Sequence, residues 1–147
     1  MTTLLSLLNS IYQQSQKLAE CLAREKLALD ESKYDELAEL AVQKQSLLDE
    51  LQSLDKQRET SCPTNNFNQF IIDSKDQTLI SQWDIARDAI RQCQKQNEIN
   101  GHLLSKHNML KQETLAILTG RDKHSAQTYN AQGNQTNDNS LLDGVKA

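Results

Sequence analysis

The 147 residues fit a single domain. With 37% hydrophobic but only 4% aromatic residues, the chain suits narrow aliphatic seams between helices better than a wide core around a substrate cavity. The formal charge of −4 and the lack of a Lys/Arg cluster argue against nucleic acid and anionic membrane surfaces as partners. No apolar run reaches the roughly 18 residues of a spanning helix, and the apolar N-terminal stretch lacks the positive flank of a signal peptide. We therefore predict a cytoplasmic protein with no integral membrane segment.

The first helix is predicted over residues 3–29. Its large aliphatic side chains recur at the three-and-four spacing of a bundle seam: Leu4, Leu8, Ile11, Leu18, Leu22 and Leu29. Ser15 and Glu25 take the remaining seam positions. Past residue 29 the same register meets only polar residues, so the helix must end there. Ser32, with Asp35 three residues later, has the spacing of a new helix start.

The second helix is predicted over residues 33–60, antiparallel to the first because the connection is short. Its seam is expected to consist of Tyr34, Leu37, Ala41, Leu48 and Leu51, flanked by Leu40, Leu47 and Leu54. Lys44 lies in this seam and can bury its alkyl stem. Pro63 ends the helical run. Phe67, Phe70 and Ile71 then predict one helical turn that closes the end of the bundle.

The third helix is predicted over residues 75–119. Ser74 and Gln77 have capping-box spacing, and Gly120 follows the last aliphatic residues, where a left-handed residue commonly ends a helix. About 45 helical residues span ~65 Å at 1.5 Å per residue. Because such a helix is too long for a small globule, we expect it to form the spine of an elongated bundle.

The third helix changes its apolar face midway. Its first seam consists of Leu79, Trp83, Ala86, Ile90 and Cys93 and then meets Asn97 and Asn100. Apolar residues reappear displaced around the helix, at Ile99, Leu103, Leu110 and Ile117. Glycine makes an exposed helix interior less stable than alanine does. The presence of Gly101 therefore favours the interpretation that another helix backbone approaches closely at this position. A tolerated glycine beside a polar layer that fixes the helix register is equally compatible with the periodicity.

Residues 120–147 are rich in Gly, Asn, Gln, Ser and Thr and have no periodicity, which is typical of a flexible tail. The predicted fold is therefore all-α: an elongated antiparallel bundle of three long helices over residues 1–119, followed by this tail.

No residue pattern indicates catalysis or a cofactor. The three cysteines contain no C-x-x-C pair and are expected to be reduced thiols, with Cys21 and Cys93 in helix seams. Glu98 and His102 share a helix face but lack the further ligands of a metal site, so a solvated or hydrogen-bonded pair is expected. No phosphate-binding loop or nucleophile elbow occurs. We predict neither enzymatic activity nor a bound metal.

Two short segments resemble the FlgN family, the cytosolic export chaperones for hook-associated proteins of bacterial flagella. Asn97-Glu98-Ile99-Asn100-Gly101-His102-Leu103-Leu104 is similar to the family's N-x-x-N-G-x-L/I stretch, and Thr128-Tyr129-Asn130-Ala131-Gln132-Gly133 is similar to its T-Y-x-x-x-G segment. Leu115 to Gly120, between these two segments, also match the family. The leucine-rich front half resembles the family more loosely.

The resemblance implies binding of the C-terminal helical segments of hook-associated proteins, prevention of their premature assembly, and delivery to the flagellar type III export machinery. In physical terms this is helix-in-groove recognition. The residues expected to bind the partner are Asn97, Asn100, Gly101, Leu103, Leu110, Ile117, Leu118, Tyr129 and Gly133. Internal packing against the first two helices remains an equal alternative for the four aliphatic residues of this set.

A second hypothesis is a structural coiled-coil adaptor that self-associates through the same seams. A homodimer is compatible with both hypotheses.

Overall fold

The computed structural model describes residues 3–119 and places them in four helices. These are α1 (Leu4–Asp30), α2 (Tyr34–Ser61), α3 (Phe67–Asp73) and α4 (Gln77–Thr119). The predicted all-α fold class is confirmed, and the described residues contain no strand. The turn expected near residue 67 is a complete short helix, so three long helices are joined by a fourth, short one. The tail predicted over residues 120–147 lies outside the described residues.

Contacts between helices define their directions. The Asn100 side-chain amide donates to the Leu22 carbonyl at 2.9 Å, and Cys93 Sγ lies 3.3 Å from the Ser15 carbonyl. Both pairs are separated by 78 residues, so α1 and α4 run parallel. The Lys44 ammonium donates to Asn97, also on α4. Since α2 returns from the α1 hairpin, it runs antiparallel to both other long helices, and α1 packs along each of them.

The predicted seam of α1 is confirmed over most of its length. Its main positions from residue 8 onward are fully or almost fully buried: Leu8, Ile11, Ser15, Leu18, Leu22 and Leu29. Leu4, by contrast, is only half-buried. The buried Ser15 hydroxyl donates to the Ile11 carbonyl at 2.7 Å, which satisfies the polar group inside the seam.

The predicted seam of α2 is wrong at its N-terminal end. Tyr34 and Ala41 are exposed, while Leu40 is buried in a small cluster with Cys21 and Ala28 of α1. Farther along, Leu48 and Leu51 are buried as predicted. The inward face at this end consists of Leu37, Leu40 and Lys44. A step of three residues from Leu37 fits the helical period as well as the predicted step of four to Ala41.

The short helix α3 closes one end of the bundle, as predicted. Phe67 and Ile71 are buried, and Phe70 packs on the same core. The Phe67 ring meets the Trp83 ring edge-on, with centroids 4.7 Å apart, a favoured aromatic geometry. The Trp83 indole N–H also donates to Asn68 at 3.1 Å. The single tryptophan thus fixes α3 on α4.

Both serines predicted to start helices instead lie at helix ends. Ser32 has a φ of 57° and follows the last turn of α1. Its N–H donates to the Leu29 carbonyl, and the next N–H, of Lys33, donates to the Ala28 carbonyl. This pair of bonds is a Schellman motif. Ser32 therefore terminates α1 rather than starting α2.

Ser74 ends α3, where its hydroxyl donates to the Ile71 carbonyl. The start of α4 is capped by Asp76 instead, whose side chain accepts from the N–H groups of Thr78 and Leu79 at 3.0 and 3.3 Å. A carboxylate two residues downstream of the predicted serine is a stronger acceptor for these amides and also complements the helix dipole.

We expect Ser32→Gly to stabilise the protein by up to about 1 kcal/mol, because a left-handed backbone strains an L residue but not glycine. The measurement is urea unfolding followed by circular dichroism. As a matched control, Ser46→Gly at an exposed position inside α2 should destabilise by roughly 0.5 kcal/mol. Equal losses in the two variants would contradict the left-handed assignment.

The cysteines are free thiols in different environments, with Cys21 and Cys93 buried and Cys62 half-buried at the end of α2. Burial raises the pKa of Cys93 to about 11, and burial together with Glu25 raises the pKa of Cys21. Both therefore remain neutral thiols at pH 8, whereas thiolate is the reactive form.

We expect iodoacetamide at pH 8 to label native protein first at Cys62, with Cys93 slower by at least about a hundredfold because roughly one Cys93 in a thousand would be thiolate. Peptide mass spectrometry over time checks the order. All three sites should react at similar rates in urea. Equal rates in the native protein would show that the α1–α4 seam is open.

Candidate partner-binding surface

Helix α4 extends past the end of α1. In both α1–α4 contacts, the α4 residue has a number 78 higher than its α1 partner. By the same offset, Asp30, the last residue of α1, lies level with Asn108 of α4. Residues 109–119 therefore project beyond the hairpin that joins α1 and α2. This overhang is about 16 Å long at 1.5 Å per residue.

The distal half of α4 carries a cluster of exposed aliphatic side chains, here called the distal strip: Leu103, Leu104, Leu110, Leu115, Ile117 and Leu118. Leu110 is 53% exposed, and Ile117 and Leu118 are 77% and 76% exposed. Leu103 is half-buried. At about 100° per residue these positions cover an arc of roughly 160° of the helix. Contiguous apolar surface of this kind marks interaction sites more often than scattered single residues do.

The sequence predicted four members of the distal strip and missed two. Leu103, Leu110, Ile117 and Leu118 were expected from the displaced periodicity. Leu104 and Leu115 lie on the continuation of the first seam, where the preceding asparagines hide the pattern. Packing of the strip against α1 and α2 was the open alternative, and for Leu110, Ile117 and Leu118 the exposed fractions argue against it.

The two predicted asparagines lie at the inner end of the distal strip and face inward. Asn100 is 2% exposed. Besides the Leu22 carbonyl, its amide group donates to Glu25 Oε1 at 3.0 Å, and its oxygen accepts from Gln96 at 2.9 Å. Asn97 is also buried and accepts from Lys44.

Together these groups form a polar layer that joins the three long helices: Glu25 of α1, Lys44 of α2, and Gln96, Asn97 and Asn100 of α4. The Lys44 ammonium lies 3.7 Å from Glu25 Oε2. Buried polar groups with satisfied hydrogen bonds specify helix register. The register interpretation of Asn97 and Asn100 therefore has direct structural support, while contact of either with a partner stays a prediction.

Gly101 follows this layer at once and is exposed. A Cβ built on it would meet no atom within 4 Å. No neighbouring helix in the described chain therefore requires glycine at this position. Glycine nevertheless makes a helix interior about 1 kcal/mol less stable than alanine does. Gly101 therefore lowers the stability of α4, and packing within the described chain does not explain why glycine occupies this position.

Tyr129 and Gly133, the remaining predicted partner-binding residues, lie outside the described residues. Their role stays a prediction.

Glu98 and His102, which share a face of α4, are solvated. His102 Nε2 lies 3.8 Å from Glu98 Oε1, and the two side chains are 80% and 74% exposed. Within residues 3–119, no group of three or more His, Cys, Asp or Glu residues is arranged to hold a metal ion. No helix in the same part of the chain combines the length and apolarity needed to cross a membrane.

An elongated helical bundle whose longest helix presents an exposed apolar face has the architecture expected of the class of helical protein-binding modules. Comparison with known families identifies the group within that class. A family model described as FlgN protein matches residues 1–137, and the chain belongs to this family of flagellar export chaperones. No curated protein and no solved structure matches the chain significantly. The family resemblance expected from the Asn97–Leu103 segment is thus confirmed.

Proposed function

We propose that this protein is a cytoplasmic chaperone that binds the C-terminal helical segments of flagellar hook-associated proteins. It prevents their premature assembly and delivers them to the flagellar type III export machinery. Membership of the FlgN family supports a chaperone role in flagellar export. The exposure of the distal strip is the observation that supports the binding site.

The chemistry of the distal strip favours an amphipathic helix as its partner. Covering a Leu or Ile side chain contributes about 1.5–3 kcal/mol relative to leaving it in water. Several such residues on one helix suffice for micromolar binding after the cost of association. Because the strip follows a helix for several turns, a partner helix laid beside it would contact successive members.

The test is gel filtration with light scattering of the full chain mixed with the C-terminal segment of a hook-associated protein at micromolar concentration. We expect one soluble complex of defined stoichiometry. A C-terminal segment whose apolar face has been replaced by serine serves as the control and should elute separately. Failure of the unaltered segment to bind would refute the proposal.

The exposed distal strip also favours the second candidate, a coiled-coil adaptor that self-associates. The two functions differ in the state of the protein alone. An adaptor would be a stable oligomer without a client, and removal of residues 121–147 would not affect it. A monomer that acquires a partner only when the client is added supports the chaperone.

A further inference from the structure

The structural support for α4 ends soon after the polar layer. Among the described side chains of α4, Asn100 is the last buried one, and only Leu103, His107 and Ala116 beyond it are half-buried. Among the described side chains after residue 108, the hydrogen bonds are local, from Thr114 to the Leu110 carbonyl and from Thr119 to the Leu115 carbonyl. Such bonds to the preceding turn do not anchor the segment to the bundle.

A helix held only by its own backbone is close to the balance between helix and coil. Most helical stability in proteins comes from packing of one face rather than from the intrinsic preference of the chain for helix. None of the described side chains of residues 102–119 is fully buried, and the half-buried ones are Leu103, His107 and Ala116. The segment is therefore expected to open far more readily than residues 77–100, whose seam is buried against α1.

Gly101 lies at the boundary between these two parts. It follows the last buried anchor, and nothing in the described chain fills the space of its missing side chain. Glycine favours the non-helical state because its backbone loses more conformational entropy on folding than the backbone of any other residue. Glycine at this boundary makes continuous helix across residue 101 less stable. The packed half of α4 therefore stabilises the helical form of the distal half less than it would with alanine at 101.

We propose that residues 102–119 open and refold as one unit in the free protein, and that Gly101 sets the opening equilibrium. If the distal strip binds a client helix, as proposed above, the opening reduces the apparent affinity because only the helical form presents the strip. Gly101 then keeps binding weak enough for the client to be released.

The first experiment is hydrogen exchange with mass spectrometry on the client-free full chain and on Gly101→Ala. The wild type should show a step in protection at residue 101, with residues 102–119 exchanging at least about tenfold faster than residues 77–100. Gly101→Ala should slow exchange throughout 102–119 by about fivefold and leave 77–100 unchanged. Gln92→Ala, at an exposed position in the packed half, is the control and should not slow the distal segment.

Two exchange results would overturn the proposal. One is a smooth rise in exchange toward residue 119 without a step at 101, which would indicate ordinary end fraying. The other is equal exchange of the distal segment in the wild type and in Gly101→Ala.

The second experiment is titration calorimetry with the C-terminal segment of a hook-associated protein. Gly101→Ala should bind more tightly than the wild type, by up to about fivefold, the full factor applying where the open form predominates in the wild type. Weaker binding would mean that a partner's backbone approaches residue 101, and would overturn the role in setting affinity. Absence of binding by both proteins would refute the chaperone proposal, whereas the exchange step at 101 would still establish the opening unit.

Discussion

Substituting Leu110 and Ile117 together by Asp is expected to abolish binding of a hook-associated C-terminal segment. Each side chain would contribute about 1.5–3 kcal/mol when covered by a partner, and each carboxylate would resist burial. The combined loss exceeds about 3 kcal/mol, or roughly a hundredfold in Kd. The measurement is titration calorimetry at micromolar concentration, with the helical signal at 222 nm recorded on the same samples.

The helix content of this variant should persist, since Leu110 and Ile117 are 53% and 77% exposed. The matched control carries the same change in charge at exposed aliphatic residues elsewhere, Leu27→Asp with Val42→Asp, and should bind like the wild type. Collapse of the circular dichroism signal in the Leu110 and Ile117 variant would mean that these side chains belong to the internal core, and that the assigned surface is wrong.

The sequence predicted four of the six members of the distal strip, but the accessibility of the strip depends on how α1 and α4 are aligned. Helix α4 has 43 residues and α1 has 27, so part of α4 must project. The parallel offset of 78 residues leaves about five of these surplus residues before Leu4 and eleven after Asp30. That offset is set by contacts between residues far apart in the chain, such as the bond from the Asn100 amide to the Leu22 carbonyl, which periodicity does not reveal.

Apolar periodicity was most accurate where the seam contains mainly aliphatic residues. In α1 the repeat of Leu and Ile identifies the buried face over five turns. In α2 the inward face also carries Lys44, Asp55 and Arg58. Each is compatible with burial only because another group satisfies it, and those groups include residues of α1, α3 and α4. The pattern of α2 alone therefore did not predict the burial of Asp55 and Arg58.

Local capping signals were ambiguous for a related reason. Ser32 and Ser74 each have an acidic or amide residue three positions later, which is the capping-box spacing. In the fold, the α1–α2 connection requires a left-handed residue, and Ser32 occupies that position. Asp76 competes successfully with Ser74 for the free amides of α4. Helix positions were thus predictable to within a few residues, but the capping atoms were not.

The charged cluster at the other end of the bundle was not predicted, although it is central to packing there. Arg58 is 4% exposed and Asp55 5% exposed, and Arg58 Nε donates to Asp55 Oδ1 at 2.7 Å. The guanidinium carbon also lies 4.7 Å from the Phe67 ring centroid and 5.3 Å from that of Trp83. Arg58 therefore forms an ion pair within α2 and links α2 to α3 and α4 through two cation–π contacts.

Replacing Arg58 by Ala is expected to destabilise the protein by about 3–5 kcal/mol, because it removes the cation that Asp55 contacts while the carboxylate stays buried. This is a large share of the 5–15 kcal/mol typical of a domain. Urea unfolding, followed by circular dichroism and by fluorescence of Trp83, measures the change. Lys26→Ala breaks an exposed ion pair with Asp30 and should cost less than about 1 kcal/mol.

The double variant Asp55→Leu with Arg58→Met separates the two contributions to this effect. Removing both charges should restore most of the stability lost in Arg58→Ala, since a buried ion pair replaced by apolar groups is often neutral or stabilising. If the double variant is as unstable as Arg58→Ala, the contacts of the guanidinium with Phe67 and Trp83 stabilise this end of the bundle, rather than neutralisation of Asp55. A loss below about 1 kcal/mol in Arg58→Ala would instead show that water reaches Asp55, and that the cluster is not a buried part of the core.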